Sequence, residues 1–223
     1  MKAVVFDMDG VLFDTERLCM ETWREVAAEE GIKDIEPAVQ GCIGLNRTDT
    51  RRFFLDYYGE NFPYEQFRSL TAERMQKKME DGIPLMPGVK ELLSYLTKQK
   101  VSIGLASSTS RERVLFYLRQ TGLERYFEVV VGGDMITHSK PLPDIYLLAC
   151  EKLGIIPEEC FAIEDSLNGI RSAYSAGMQA IMVPDMVAPT PEAEEKSTVI
   201  LPSLFAVQEW FEEKNSFSRV HAL

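Results

Sequence analysis

The sequence predicts an α/β protein: a doubly wound, Rossmann-like parallel sheet interrupted by one inserted all-helical segment. Three observations carry that prediction. The chain opens on Ala3-Val4-Val5-Phe6, an apolar run with no periodic polar position, which suits a strand buried on both faces of a parallel sheet. From Pro84 onward, short apolar runs alternate with helix-like segments, the signature of strands joined by crossover helices. Residues 16–82, between the two, carry helical patterns and no strand pattern. The core is therefore read as 1–15 plus 83–223, with 16–82 inserted, and 223 residues suffice for both.

The elements follow in order. Thr15 or Asp14 is placed to N-cap a helix with Cys19, Trp23 and Val26 on one face, and Gly31 stops it. A second helix carries Phe53, Phe54, Tyr57 and Tyr58 and ends near Gly59. Pro63 opens a third at its first turn, where a missing N–H costs nothing, and Phe67, Leu70 and Met79 supply its apolar face up to Gly82. The aromatic cluster is expected to be the insertion's own core. After Pro84, Pro87 and Gly88, a helix over 89–99 precedes a strand over 101–106, and a helix over 111–120 precedes a strand over 127–131. Helices over 145–153 and 167–176 precede strands over 160–163 and 180–183, and a strand near 199–201 and a helix through Trp210 finish the layer.

Composition narrows the function. A formal charge of −11 with no basic block argues against nucleic acid or an anionic membrane as partner. No stretch is long and apolar enough to span a bilayer, and the chain runs straight into its first strand without a signal-peptide pattern, so the expected compartment is cytoplasmic. Cys19, Cys42, Cys150 and Cys160 are scattered, which reads as reduced, packed thiols rather than zinc ligands or bridges. Two histidines, His138 and His221, exclude a His-rich metal centre and disfavour a Ser-His-Asp triad. His138 reads as a surface-loop residue.

The first strand ends in Asp7-Met8-Asp9-Gly10. In open parallel sheets ligands bind at the strands' carboxyl ends, so both carboxylates project into a shared site, and Gly10 permits a tight turn beside a ligand. Side by side they repel unless a cation binds them. The pair points to phosphoryl transfer, although Asp-x-Asp-Gly seen alone fits an acidic turn better. Extended to Val11 and followed by Asp14-Thr15, the segment resembles the nucleophile motif of the haloacid dehalogenase superfamily, closest to its phosphatase and phosphoglucomutase branch. The resemblance implies that Asp7 attacks phosphorus and Asp9 is the general acid/base. A carboxylate nucleophile divides one hard hydrolysis into two steps, and a second carboxylate must then move the protons.

Three later segments complete the resemblance. Ser107-Ser108-Thr109-Ser110 follows a predicted strand and precedes a helix, where it is either a helix cap without ligand or an anion site. The family places Ser or Thr there to hold the transferring phosphoryl group, which implies Ser107, with Ser108 or Thr109 assisting. Lys140, in Ser139-Lys140-Pro141-Leu142-Pro143-Asp144, would by itself be a solvated surface charge. It matches the family's lysine, which neutralises nucleophile and phosphate, although the family often has Gly where this chain has Ser139. Asp144 is expected to cap the next helix. Glu164-Asp165 matches the family's acidic motif, whose carboxylates hold Mg2+, an ion suited to oxygen ligands. The resemblance implies Asp7, the Asp9 carbonyl and Asp165 as direct ligands, and Glu164 directly or through water.

The resemblance also separates activities. Asp9 disfavours the dehalogenases and phosphonate-cleaving members, which lack the second acid. In the mutases a cap histidine helps control proton transfer; alignment puts Cys19 there, which favours hydrolysis. Arg47, in Gly44-Leu45-Asn46-Arg47, corresponds to a mutase arginine that grips a distal phosphate, or is an exposed helix-start residue. The expectation is a Mg2+-dependent phosphatase for a small phosphorylated metabolite, a monomer or weak homo-oligomer. The alternatives are a β-phosphoglucomutase-type mutase and a non-catalytic phosphate-binding or signalling module.

Overall fold

A computed structural model describes residues 2–43 and 47–220, with side chains described for 2–43 and 48–214. The chain divides into two compact units, Met1–Phe13 with Leu85–Leu223, and Asp14–Pro84. The first begins with β1 (Ala3–Phe6), in which every residue is fully buried.

The Asp14–Pro84 unit holds α1 (Thr15–Glu29), α2 (Ile35–Gly41), α3 (Arg47–Tyr58) and α4 (Tyr64–Asp81). Its core is Val26, Ala27, Ala38, Cys42, Phe54, Tyr64 and Phe67. Phe54 is its centre, with the rings of Trp23, Tyr64 and Phe67 all about it at 5.3, 5.4 and 5.3 Å. Such offset and edge contacts add to the burial of the rings themselves. The sequence predicts three helices here, and α2 is a fourth. Seven residues make two turns, too few for a periodicity, and Pro37 is tolerated because the first turn needs no donor. Arg24 on α1 clamps α2 through two hydrogen bonds to Glu36, at 2.9 and 2.8 Å. Asp14 stands at the N-cap of α1 but makes no side-chain cap bond.

In the other unit the chain continues through α5 (Val89–Lys98), β2 (Ser102–Ser107), α6 (Arg111–Gln120), β3 (Val129–Gly132), α7 (Asp144–Leu153), β4 (Cys160–Glu164), α8 (Leu167–Ser175), β5 (Gln179–Met182), α9 (Pro191–Lys196), β6 (Val199–Ile200) and α10 (Leu204–Val220). The six strands order as β3-β2-β1-β4-β5-β6, and all pairs are parallel. This is the doubly wound sheet the sequence predicts. Ala3 and Val5 pack into a cluster with Ile145, Tyr146 and Ala149 of α7 and Ile170 and Ala173 of α8. Val4 and Phe6 point to the opposite face by the strand's two-residue period. Both faces are covered, so β1 can contain no polar residue. The sequence reading contains no counterpart of α9; Pro191 opens it and the Thr190 hydroxyl accepts the Ala193 N–H at 3.2 Å. Among the described residues no helix is long and apolar enough to cross a membrane.

Candidate active site

The sheet brings three strand ends together. Phe6 pairs with Leu105 of β2 and with Ile163 of β4, and the next residue, Asp7, donates its N–H to the Ile163 carbonyl at 3.0 Å. Asp7 therefore stands between Ser107 and Glu164 at the point where the strand order reverses, the position at which such sheets bind ligands.

Lys140 reaches this point from the loop between β3 and α7. Its ammonium donates to Asp7 Oδ1 at 2.6 Å, to Glu164 Oε1 at 2.6 Å and to the Ala106 carbonyl at 3.3 Å. Three donors meet three acceptors, so a lysine side chain only 9% exposed is fully satisfied. Burial lowers its pKa, but Asp7 and Glu164 together raise it further, to above the ordinary lysine range. The ammonium stays charged.

Glu164 is fully buried. Its Oε1 also accepts the Tyr146 hydroxyl at 2.7 Å, and its Oε2 accepts the Ser166 hydroxyl at 3.2 Å. Ser166 in turn accepts the Gly169 N–H at 3.1 Å and caps α8. A Cβ on Gly169 would lie 1.8 Å from the Glu164 carboxyl carbon, so the helix leaves room for the carboxylate only because that residue is glycine. Tyr146, Ser166 and Gly169 surround Glu164 at the candidate site, and sequence reading does not single them out. A glycine within the first turns of a helix was the one available signal, since helices disfavour it without a packing reason.

Asp9 sits in a closed turn: the Gly10 N–H donates to the Phe13 carbonyl at 2.9 Å, and Leu12 and Phe13 both donate to Met8. Gly10 has φ 72°, and a Cβ there would lie 2.3 Å from Asp165 Oδ2. The close neighbour of this glycine is Asp165 itself. Burial pushes the Asp7 carboxyl up to about 7 against the pull of Lys140, with Glu164 and Asp9 adding to the rise. Burial, then Glu164 and Asp7, push Asp165 up to about 9. Among the described residues Asp7, Glu164 and Asp165 each offer a carboxylate oxygen within 4.8 Å of the others. Three crowded carboxylates that offer only oxygen, two of them, Asp7 and Asp165, held above their ordinary range, fit a hard divalent cation.

Ser107 is fully buried, and its hydroxyl oxygen accepts the Thr109 N–H at 3.1 Å. Ser108 is exposed beside it. Arg47 is the first residue of α3, and its side chain lies outside the described residues. Asp144 does not cap α7. It lies inside the first turn after Pro143, and its carboxylate pairs with the exposed His138 at 2.9 Å, because the imidazole approaches from the loop.

The family model of the haloacid dehalogenase-like hydrolases matches residues 4–183. The phosphorylated carbohydrates phosphatase of Thermotoga maritima is 35% identical over 181 residues, covering 81% of this chain and 84% of that protein. The β-phosphoglucomutase of Bacillus subtilis is 32% identical over 192 residues, covering 82% and 83%. A crystal structure of a hydrolase of this family from Deinococcus radiodurans, with bound phosphate and sodium, superposes with a TM-score of 0.81 at 27% identity, covering 96% of each chain.

Proposed function

The chain belongs to the haloacid dehalogenase-like hydrolases, and from that premise we propose a Mg2+-dependent phosphatase that hydrolyses a small phosphomonoester, a sugar phosphate or similar metabolite. The observation that carries the proposal is the Lys140 ammonium set 2.6 Å from both Asp7 and Glu164 at the reversal point of the sheet. A buried cation that pulls a neighbouring carboxylate back toward its ionised form, against the rise that burial imposes, is what a carboxylate nucleophile needs.

In this reading Asp7 attacks phosphorus and forms an aspartyl phosphate while the ester oxygen departs. Asp9 gives that oxygen its proton, and the alcohol leaves. Asp9, now ionised, takes a proton from water, which attacks phosphorus and frees inorganic phosphate and the Asp7 carboxylate. Ser107 and Ser108 hold the phosphoryl oxygens, and Lys140 offsets the charge gathered there. Asp7, the Asp9 carbonyl and Asp165, with Glu164, would hold Mg2+. When bound, the ion supplies further positive charge beside the phosphoryl oxygens.

The mutase reading is favoured by the similarity to the B. subtilis enzyme. Hydrolysis is preferred because burial, then Glu16, pushes the Cys19 thiol up to about 12. A group that stays protonated near neutral pH cannot replace an imidazole in proton control. Similarity to a phosphatase of phosphorylated carbohydrates supports the sugar-phosphate class, in which Arg47 would grip a second charged group. The test is phosphate release from p-nitrophenyl phosphate with and without Mg2+, then from a panel of sugar, polyol and nucleoside monophosphates, beside an assay for glucose 1-phosphate isomerisation. Mg2+-dependent release is expected. Absence of turnover by folded protein on the whole panel would overturn the proposal, and isomerisation faster than hydrolysis would favour the mutase.

A further inference from the structure

Residues 107–111 run from the end of β2 into α6, and a phosphate-holding loop is useful only if its backbone is fixed. Ser110, at the N-cap position of α6, makes no side-chain cap hydrogen bond. The cap comes from elsewhere in the chain. The Asp134 carboxylate, in the 3-10 turn Gly133–Met135 that follows β3, accepts the Arg111 N–H at 2.7 Å. Two more bonds reinforce the junction: the Gly133 N–H donates to the Thr109 carbonyl at 2.9 Å, and Arg111 Nε donates to the Val130 carbonyl at 3.2 Å.

The two backbones touch so closely that side chains are excluded. Ser107 pairs with Gly132 in the sheet. A Cβ on Gly132 would lie 2.2 Å from the Arg111 nitrogen, and one on Gly133 would lie 2.2 Å from the Ser108 carbonyl oxygen. Both obstacles are backbone, which cannot rotate aside. The arrangement also decides which groups remain for a ligand. The Arg111 N–H is engaged by Asp134 and the Thr109 N–H by Ser107 Oγ. The Ser107 oxygen accepts that bond, and its O–H is still a donor.

We propose that Asp134 is a positioning residue of the phosphate site: it caps α6 from the neighbouring loop and, with Gly132 and Gly133, sets Ser107 and Ser108 in the orientation that receives the phosphoryl group. The proposal rests on the reading of Ser107 as a phosphate-holding residue. Its own content is the Asp134 contact, which spans 23 positions of sequence.

The experiment compares Asp134→Ala, Asp134→Asn and Gly133→Ala with the wild-type protein, in Mg2+, for KM and kcat on p-nitrophenyl phosphate, competitive inhibition by inorganic phosphate, and melting temperature. Asp134→Ala is expected to raise the inhibition constant for phosphate and the KM by about tenfold, the size of a lost cap. Asp134→Asn, whose amide oxygen accepts the same N–H, should stay within about threefold of wild type. Gly133→Ala should follow Asp134→Ala. A lowered melting temperature with unchanged phosphate inhibition in Asp134→Ala would overturn the proposal, as would equal effects of the Ala and Asn replacements. If Asp134→Ala does not fold, Gly133→Ala decides: wild-type phosphate inhibition in that variant overturns the proposal. Wild-type protein that neither turns over substrate nor binds phosphate defeats the phosphatase reading and this proposal with it; wild-type turnover with unaffected variants defeats this proposal alone.

Discussion

Tyr146→Phe removes one oxygen from the buried network and little else. The phenol donates to Glu164 Oε1 at 2.7 Å, and its ring lies 5.0 Å from the Lys140 ammonium, a contact the phenylalanine ring retains. Glu164 then keeps two of its three side-chain donors, Lys140 and Ser166. A hydrogen bond to an ionised group contributes about 1.5–3 kcal/mol, and no water can replace the hydroxyl at a fully buried carboxylate, so the expected loss is about 2 kcal/mol. For a chain of this size that is roughly 4–8 °C in melting temperature. Urea unfolding followed by far-UV circular dichroism measures it, with the midpoint moving and the slope unchanged. A loss below about 0.5 kcal/mol, the scale of an ordinary surface substitution, would show that the phenol does not hold Glu164 and would refute the network as described.

Gly169→Ala places a methyl group where the Glu164 carboxyl carbon lies, 1.8 Å away. Overpacking of this kind costs about 1–3 kcal/mol, and the displaced carboxylate should reduce kcat as well; wild-type turnover and stability would contradict the close contact. Cys19, held at about 12, should react with iodoacetamide about a thousandfold more slowly in native than in unfolded protein at mildly alkaline pH. An acid raised on folding leaves stability intact below the unfolded thiol pKa and erodes it above. Cys19 therefore takes away about 1.4 kcal/mol per pH unit from roughly pH 9 to its folded pKa, a slope that a Cys19→Ala variant should lose. Mg2+ at about a hundredfold excess over its dissociation constant should add about 2.7 kcal/mol to native stability, and chelation should remove it. Asp165→Asn should abolish most of that shift.

The sheet was legible because its strands obey a simple constraint. With helices on both faces, β1 must read as a pure apolar run, and the glycines Gly122, Gly154 and Gly177 end or follow helices with positive φ as the pattern requires. The short helices α2 and α9 were not legible, since two turns leave no period to detect. Candidate residues at strand ends were visible through chemistry plus resemblance. What reading missed are groups whose roles exist only across the fold. Tyr146 looks like any core aromatic on a helix, yet its hydroxyl serves a carboxylate 18 positions away. Asp134 looks like a turn residue and caps a helix that begins 23 positions earlier. Asp144, which local rules make a cap, instead pairs with His138, because Pro143 takes the cap position.

Transfer of the phosphoryl group to Asp7 is read out by a rapid-quench single turnover with a phosphoryl-labelled substrate. The prediction is a hydroxylamine-labile label on the peptide containing Asp7, formed before free phosphate appears and absent from Asp7→Asn. Label on a different residue, or sustained turnover by the Asp7→Asn protein, would rule out Asp7 as the phosphoryl carrier.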